Sequence, residues 1–216
     1  MKKSLVLIAT LFTLGVVSPI IEASSLPTDP AEIVKLRETQ AEENETIELF
    51  SGEWVAGEDF NPGRYKITCA EGQSGNFYLY DSESEDFPFI NLILSTREGF
   101  GVPEVNVDIA EGQKLALKGI DNVKLEPVET KEVTELTSGI WVVGADVKPG
   151  KYIATTEENT SGNLFVYDSV EIEGNFPSTN EILGQGENNT GVEKVQLKLE
   201  EGQTIIIQGI SKLYLE

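Results

Sequence analysis

The chain has 216 residues, with 16 Lys and Arg against 37 Asp and Glu, a formal charge of −21, no histidine and one cysteine. Such an acidic surface repels phosphate backbones and anionic headgroups, which argues against nucleic-acid binding and electrostatic membrane docking. Without histidine no Ser-His or Cys-His nucleophile pair can be written, and Cys69 alone makes neither an intrachain disulfide nor a Cys-rich zinc site.

In chain order, Lys2-Lys3, an apolar run from Leu5 to Ile21 and then Glu22-Ala23-Ser24-Ser25 follow the charged, apolar, small-residue order of a secretory signal. Residues 1–23 are expected to be cleaved after Ala23, leaving no stable membrane anchor and a product outside the cell, in the medium or at the wall. An exported chain so poor in cysteine points to a Gram-positive source, since small secreted eukaryotic domains lean on disulfides.

Residues 24–45 carry a short helix or spacer. Asp29 is placed to cap, Pro30 to open the first turn, and Ala31–Glu43 to continue it. Ile33, Val34 and Leu36 mark only part of one side, so the helix is a weak amphipath expected to fray or act as a spacer.

The rest is organised by a repeat. Ser51–Ser82 returns as Ser138–Ser169 at a constant offset of 87, with 17 of 32 positions identical. After a three-residue insertion the offset becomes 90, and Glu111-Gly112-Gln113 and Leu125-Glu126 return as Glu201-Gly202-Gln203 and Leu215-Glu216. A period this long means duplicated domains rather than a solenoid. The expected organisation is therefore a β-module over 46–126, a linker over 127–132 and a second module over 133–216.

Each module reads as short strands. Val105, Val107 and Ile109 alternate with polar residues, as do Val195, Leu197 and Leu199. Glu-Gly-Gln is expected to turn these strands into hairpins with Leu115–Leu117 and Ile205–Ile207. Pro62-Gly63 and Pro149-Gly150 suit the centre of type II turns. With Tyr65–Cys69, Phe77–Tyr80, Phe89–Leu94 and Val123–Leu125, the density fits a small sandwich or barrel, and the fold class is all-β.

The shared pattern Trp-x-x-Gly-x-Asp-x-x-Pro-Gly-x-Tyr spans Trp54, Gly57, Asp59, Pro62, Gly63 and Tyr65, and again Trp141, Gly144, Asp146, Pro149, Gly150 and Tyr152. It resembles small β-modules of exported surface proteins of Gram-positive bacteria, a resemblance that implies fold and export and assigns no active site. These motif residues read as structural. Trp54 and Trp141 could stack on sugar rings, but their equivalence in both copies favours the core, and the same holds for Tyr65, Tyr152, Tyr80 and Tyr167. Asp59 and Asp146 sit where a carboxylate accepts turn N–H groups.

The copies diverge most over 83–104 and 170–194. Asp81, Glu83, Glu85 and Asp86 in one copy and Asp168, Glu171 and Glu173 in the other are the candidate ligand contacts. Clustered carboxylates suit Ca²⁺, yet no twelve-residue calcium loop is present, so divalent cations are expected to act unspecifically and no metal or other cofactor is assigned. Paired carboxylates could hydrolyse glycosides without His or Cys, but no acidic pair outside the turns is common to both copies. Cys69 aligns with Thr156 and has no partner base, which suits a small packing residue rather than a nucleophile. The sequence thus points to a non-catalytic protein acting on an envelope or extracellular partner, the alternative being a carbohydrate-binding or glycoside-active protein.

Overall fold

The computed structural model describes residues 26–82, 87–172, 174–186 and 191–216. It is all-β apart from one helix, α1 (Pro30–Glu43). Asp29 accepts the Ala31 N–H at 2.9 Å as N-cap, Pro30 opens the first turn, and Asn44 ends the helix in extended conformation. Among the described residues no helix is long and apolar enough to cross a membrane.

Eight strands form the first half: β1 (Ile47–Leu49), β2 (Gly52–Val55), β3 (Gly63–Cys69), β4 (Ser74–Tyr80), β5 (Ile90–Ser95), β6 (Glu104–Ile109), β7 (Lys114–Lys118) and β8 (Val123–Pro127). Eight more follow: β9 (Glu135–Leu136), β10 (Gly139–Val142), β11 (Gly150–Thr156), β12 (Ser161–Tyr167), β13 (Thr179–Gly184), β14 (Val195–Leu199), β15 (Thr204–Gln208) and β16 (Leu213–Leu215). The first half pairs them as β1-β8-β3-β6 and β2-β7-β4-β5, and the second as β9-β16-β11-β14 and β10-β15-β12-β13. One four-strand sheet from each half is joined through β6 and β10 into an eight-stranded sheet.

The alternation seen in the sequence sets the cores. Tyr65, Ile67, Val105, Val107 and Ile109 from one sheet meet Phe77, Leu79, Ile90, Leu115 and Leu117 from the other, all almost fully buried. Leu164, Val166, Leu197, Leu199, Ile205 and Ile207 do the same in the second half. Cys69 lies in the first core, where burial pushes its thiol pKa up.

Two expectations about turns are corrected. β6 and β7 form no hairpin: β6 pairs with β3 and β10, and β7 with β2 and β4. The Glu-Gly-Gln turn instead carries the chain from one sheet to the other, as it does between β14 and β15. It is fastened across the corner, Gly112 N–H donating to Ala56 O at 2.9 Å and Ala56 N–H to Gln113 O at 3.0 Å. The Pro-Gly pairs are not type II turns either. Gly63 opens β3 in extended backbone with φ 159°, and Gly150 has no positive φ. What glycine supplies there is room, since a Cβ on Gly150 would lie 3.1 Å from the Tyr152 ring and one on Gly63 2.6 Å from the Asn44 amide.

The halves are joined by more than the short linker. Asn106 on β6 donates its N–H to Ser138 O at 2.9 Å, and a Cβ on Gly139 would collide with the Asn106 carbonyl. Ile140 and Ile206 enter the first core, while Trp141, Ile205 and Ile207 enter the second, so the shared sheet is buried on both faces here. That is why Ile205–Ile207 is a continuous apolar run rather than an alternating one.

Candidate functional site

The motif residues share one device. Each polar motif side chain is tied to the backbone four residues upstream: Trp54 Nε1 donates to Phe50 O at 3.0 Å, Val55 N–H donates to Asp59 at 2.8 Å, and the Tyr65 hydroxyl donates to Asn61 O at 2.7 Å. The second copy repeats this, with Trp141 on Thr137 O at 2.9 Å, Val142 N–H on Asp146 at 2.8 Å and Tyr152 on Lys148 O at 3.0 Å. Gly57 and Gly144 take positive φ, 88° and 94°, where the chain bends ahead of the Asp. Pro62 and Pro149 sit inside the segment that each Tyr closes. The indoles differ in setting, for Trp141 is buried and Trp54 half-buried. Tyr65 is buried and its phenol pKa pushed up to about 12 by burial, whereas Tyr152, Tyr80 and Tyr167 are half-buried.

Of the candidate ligand contacts, Glu83, Glu85, Asp86 and Glu173 lie outside the described residues. The others have separate local partners. Asp81 accepts the Ser82 N–H at 2.6 Å, and Asp168 accepts the Ser178 hydroxyl at 2.9 Å and the Gln203 amide at 2.8 Å. Glu171 accepts through its backbone carbonyl, from the Asn175 amide at 2.9 Å. Among the described residues no three Asp, Glu or Cys side chains are grouped to hold a metal ion. Both divergent loops do present an aromatic ahead of a proline: Phe87 is 80% exposed and Phe176 94%.

The densest chemistry lies where the two halves and α1 meet, and sequence reasoning missed it. Arg37, on the buried stripe of α1 with Pro30 and Ile33, is fully buried. Its Nε and Nη2 hold both oxygens of Asp108 on β6, at 2.7 and 2.6 Å, and its Nη1 donates to Asp146 at 2.9 Å. Arg64 on β3 joins them, with Nη1 2.8 Å from Asp108 and Nη2 3.3 Å from Asp146. Arg64 also donates to Ile140 O at 3.2 Å and lies 5.0 Å over the Trp141 ring. Two guanidinium groups and two carboxylates balance in charge, and all four side chains are at most 3% exposed.

Burial opposes ionisation of Asp108, but Arg37 and Arg64 overcome it and hold its pKa below the ordinary carboxylate value. Burial likewise opposes the charge on Arg37, and the facing carboxylates raise its pKa above the usual guanidinium value. Asp146 therefore does two things, closing its own turn with one oxygen and gripping α1 and Arg64 with the other. Its counterpart Asp59 does only the first, and is exposed. The expected fraying spacer is thus a docked element. Asn44 at its end donates to Pro62 O at 2.9 Å, and Val34 packs with Ile33, Val142 and Ala145.

No protein-family model, curated protein or solved structure matches this chain.

Proposed function

We propose that this is a secreted, non-catalytic protein built from two homologous β-modules, 46–126 and 133–216, that acts by binding a partner in or just outside a Gram-positive cell envelope. The duplication is supported by the recurrence of the same strand pairing in both halves, on top of the repeated sequence. Export rests on the signal-like order of residues 1–23, and the envelope setting on the resemblance of the Trp-to-Tyr motif.

The observation that carries the binding reading is where the polar side chains are spent. Trp, Asp and Tyr of the motif are engaged with their own backbone, which assigns them to the framework. The loops that differ between copies instead hold Phe87 and Phe176 out to solvent. Rigid scaffolds with variable, exposed loops are the usual arrangement of binding proteins. Divalent cations act in this reading by unspecific screening of the acidic surface.

Retention of the full chain on envelope fractions, compared with that of Phe87→Ala/Phe176→Ala, tests it. Loss of retention in the double variant is expected, and equal retention would remove the loops from the binding surface. The alternative, sugar binding, draws on Trp54, whose half-buried indole keeps part of its surface in solvent. A shift in tryptophan emission on adding wall polysaccharide, lost in Trp54→Phe, would favour it.

A further inference from the structure

The repeat supplies an internal control for the buried charge cluster. The counterparts of Arg64, Asp108 and Asp146 are Lys151, Lys198 and Asp59, and all three are exposed. Arg37 belongs to α1, outside both copies, so the β11 and β14 face that carries Lys151 and Lys198 has neither the helix nor a buried cluster. Three of the four charges at the joint, Arg64, Asp108 and Asp146, come from the repeated framework and carry a net negative charge. The fourth is brought by a helix seated through three buried residues, Pro30, Ile33 and Arg37.

We infer that the joint between the halves is a guanidinium-recognition site, filled in cis by Arg37 and open to another arginine side chain when α1 leaves. The geometry is selective for the group. A planar fork donates in parallel to both Asp108 oxygens and sideways to Asp146, which an ammonium cannot do from one position. Thr130 adds a hydroxyl acceptor 3.4 Å from Nη1. The helix is also the element that stands outside both sheet cores. Fourteen residues are marginal as an isolated helix, and the strands are stitched into two cores while α1 is not. Its departure leaves Asp108 and Asp146 facing Arg64 alone, a site short of one positive charge beside the apolar Val142 and Ala145. An arginine presented from an apolar segment is the chemistry that fits.

Chemical rescue in the full chain tests the assignment. Arg37→Ala should lower the melting temperature, and methylguanidinium should restore part of the loss saturably, while methylammonium at the same ionic strength should not. The unsubstituted chain should gain nothing from either. Equal responses to the two cations, or equal responses of the two proteins, would overturn the site. If Arg37→Ala does not fold, the unsubstituted chain still decides: the Arg37 Nε–H should exchange with solvent far more slowly than that of exposed Arg97, and similar rates would overturn the seating. Slower exchange of the β3 and β6 amides than of the α1 amides is expected in the same experiment, and the reverse order would exclude α1 as the releasable part.

Discussion

The outer positions of β3 and β6 and the equivalent ones of β11 and β14 occupy the same place in the two copies, yet meet opposite fates. In the first half they bear Arg64, Asn106 and Asp108, covered by α1 and by the strand edge of β10. In the second they bear Lys151, Gln196 and Lys198, which with Ile153 and Glu216 line an open groove. The joined surfaces differ in the same way. Ile140 and Ile206 are buried between the halves, whereas their counterparts are Glu53 and Ala116. Val102 is buried in the first core, and its counterpart Val192 is 43% exposed. One backbone plan therefore yields a sealed face or an open one, and a few side chains decide which. At the free end of the first half Glu53 and Ala116 stand where the joined end of the second carries Ile140 and Ile206, as in terminal units of stacked modules.

The sharpest way to break this contrast is to remove Asp108. Asp108→Ala leaves two buried guanidinium groups facing Asp146 alone, and a buried pair broken on one side costs about 3–5 kcal/mol. Its counterpart change, Lys198→Ala, strikes an exposed residue and should stay within about 0.5 kcal/mol. Denaturant unfolding of both variants measures the difference. The Asp108 carboxyl is also depressed, so its stabilisation is complete above the ordinary carboxylate range and is lost as pH falls through its folded value. Melting temperature should consequently fall on the acid side in the unsubstituted chain, and the fall should be shallower in Asp108→Asn.

Next in size is the apolar half of the joint. Ile140→Ala empties a position shared with the first core and should cost about 2–4 kcal/mol, while Glu53→Ala at the matching site should change stability by less than about 0.5 kcal/mol. Equal effects would mean that the halves do not depend on each other for packing.

The tryptophans sharpen the same contrast. Trp141→Ala should cost about 3–5 kcal/mol, as truncation of a buried indole does, and Trp54→Ala clearly less, because Trp54 is half-buried. Single-tryptophan variants made with phenylalanine should show Trp141 emitting at the shorter wavelength.

What the sequence revealed and what it hid divide along the range of the interactions. The strand period of β6, the cap at Asp29 and the internal sequence repeat are local or periodic, and were legible. The Glu-Gly-Gln segment has turn composition, but whether its flanking strands pair or part is set by β2, β3 and β4 as partners, and composition carries no sign of that. Arg37 was hidden for a stronger reason. A charged residue on a weak amphipath reads as a solvated face, and its partners stand 71 and 109 residues away. One trace was available: Asp108 and Lys198 occupy matching positions with opposite charge, as two faces in different surroundings would.

The smallest expected difference lies in the motif tyrosines, where the two copies make the same bond in unlike settings. Tyr65→Phe and Tyr152→Phe each remove one hydroxyl-to-carbonyl bond, worth about 0.5–1.5 kcal/mol, and the larger loss should fall on Tyr65, because its ring is buried and its bond partly so, whereas the Tyr152 bond is exposed. The alkaline limb tests the setting of Tyr65 directly. Burial raises the Tyr65 phenol to about 12, so the folded chain resists its ionisation more than the unfolded chain does. A group raised in this way contributes stability that is full below the unfolded value, about 10, and is lost as pH climbs toward 12. Stability of the unsubstituted chain should drop over that window. Tyr65→Phe should flatten the drop, since phenylalanine has nothing to ionise. Unfolding curves taken at intervals across the alkaline range would show it, and an undiminished drop in Tyr65→Phe would mean that this phenol ionises as readily in the folded chain as in the unfolded one.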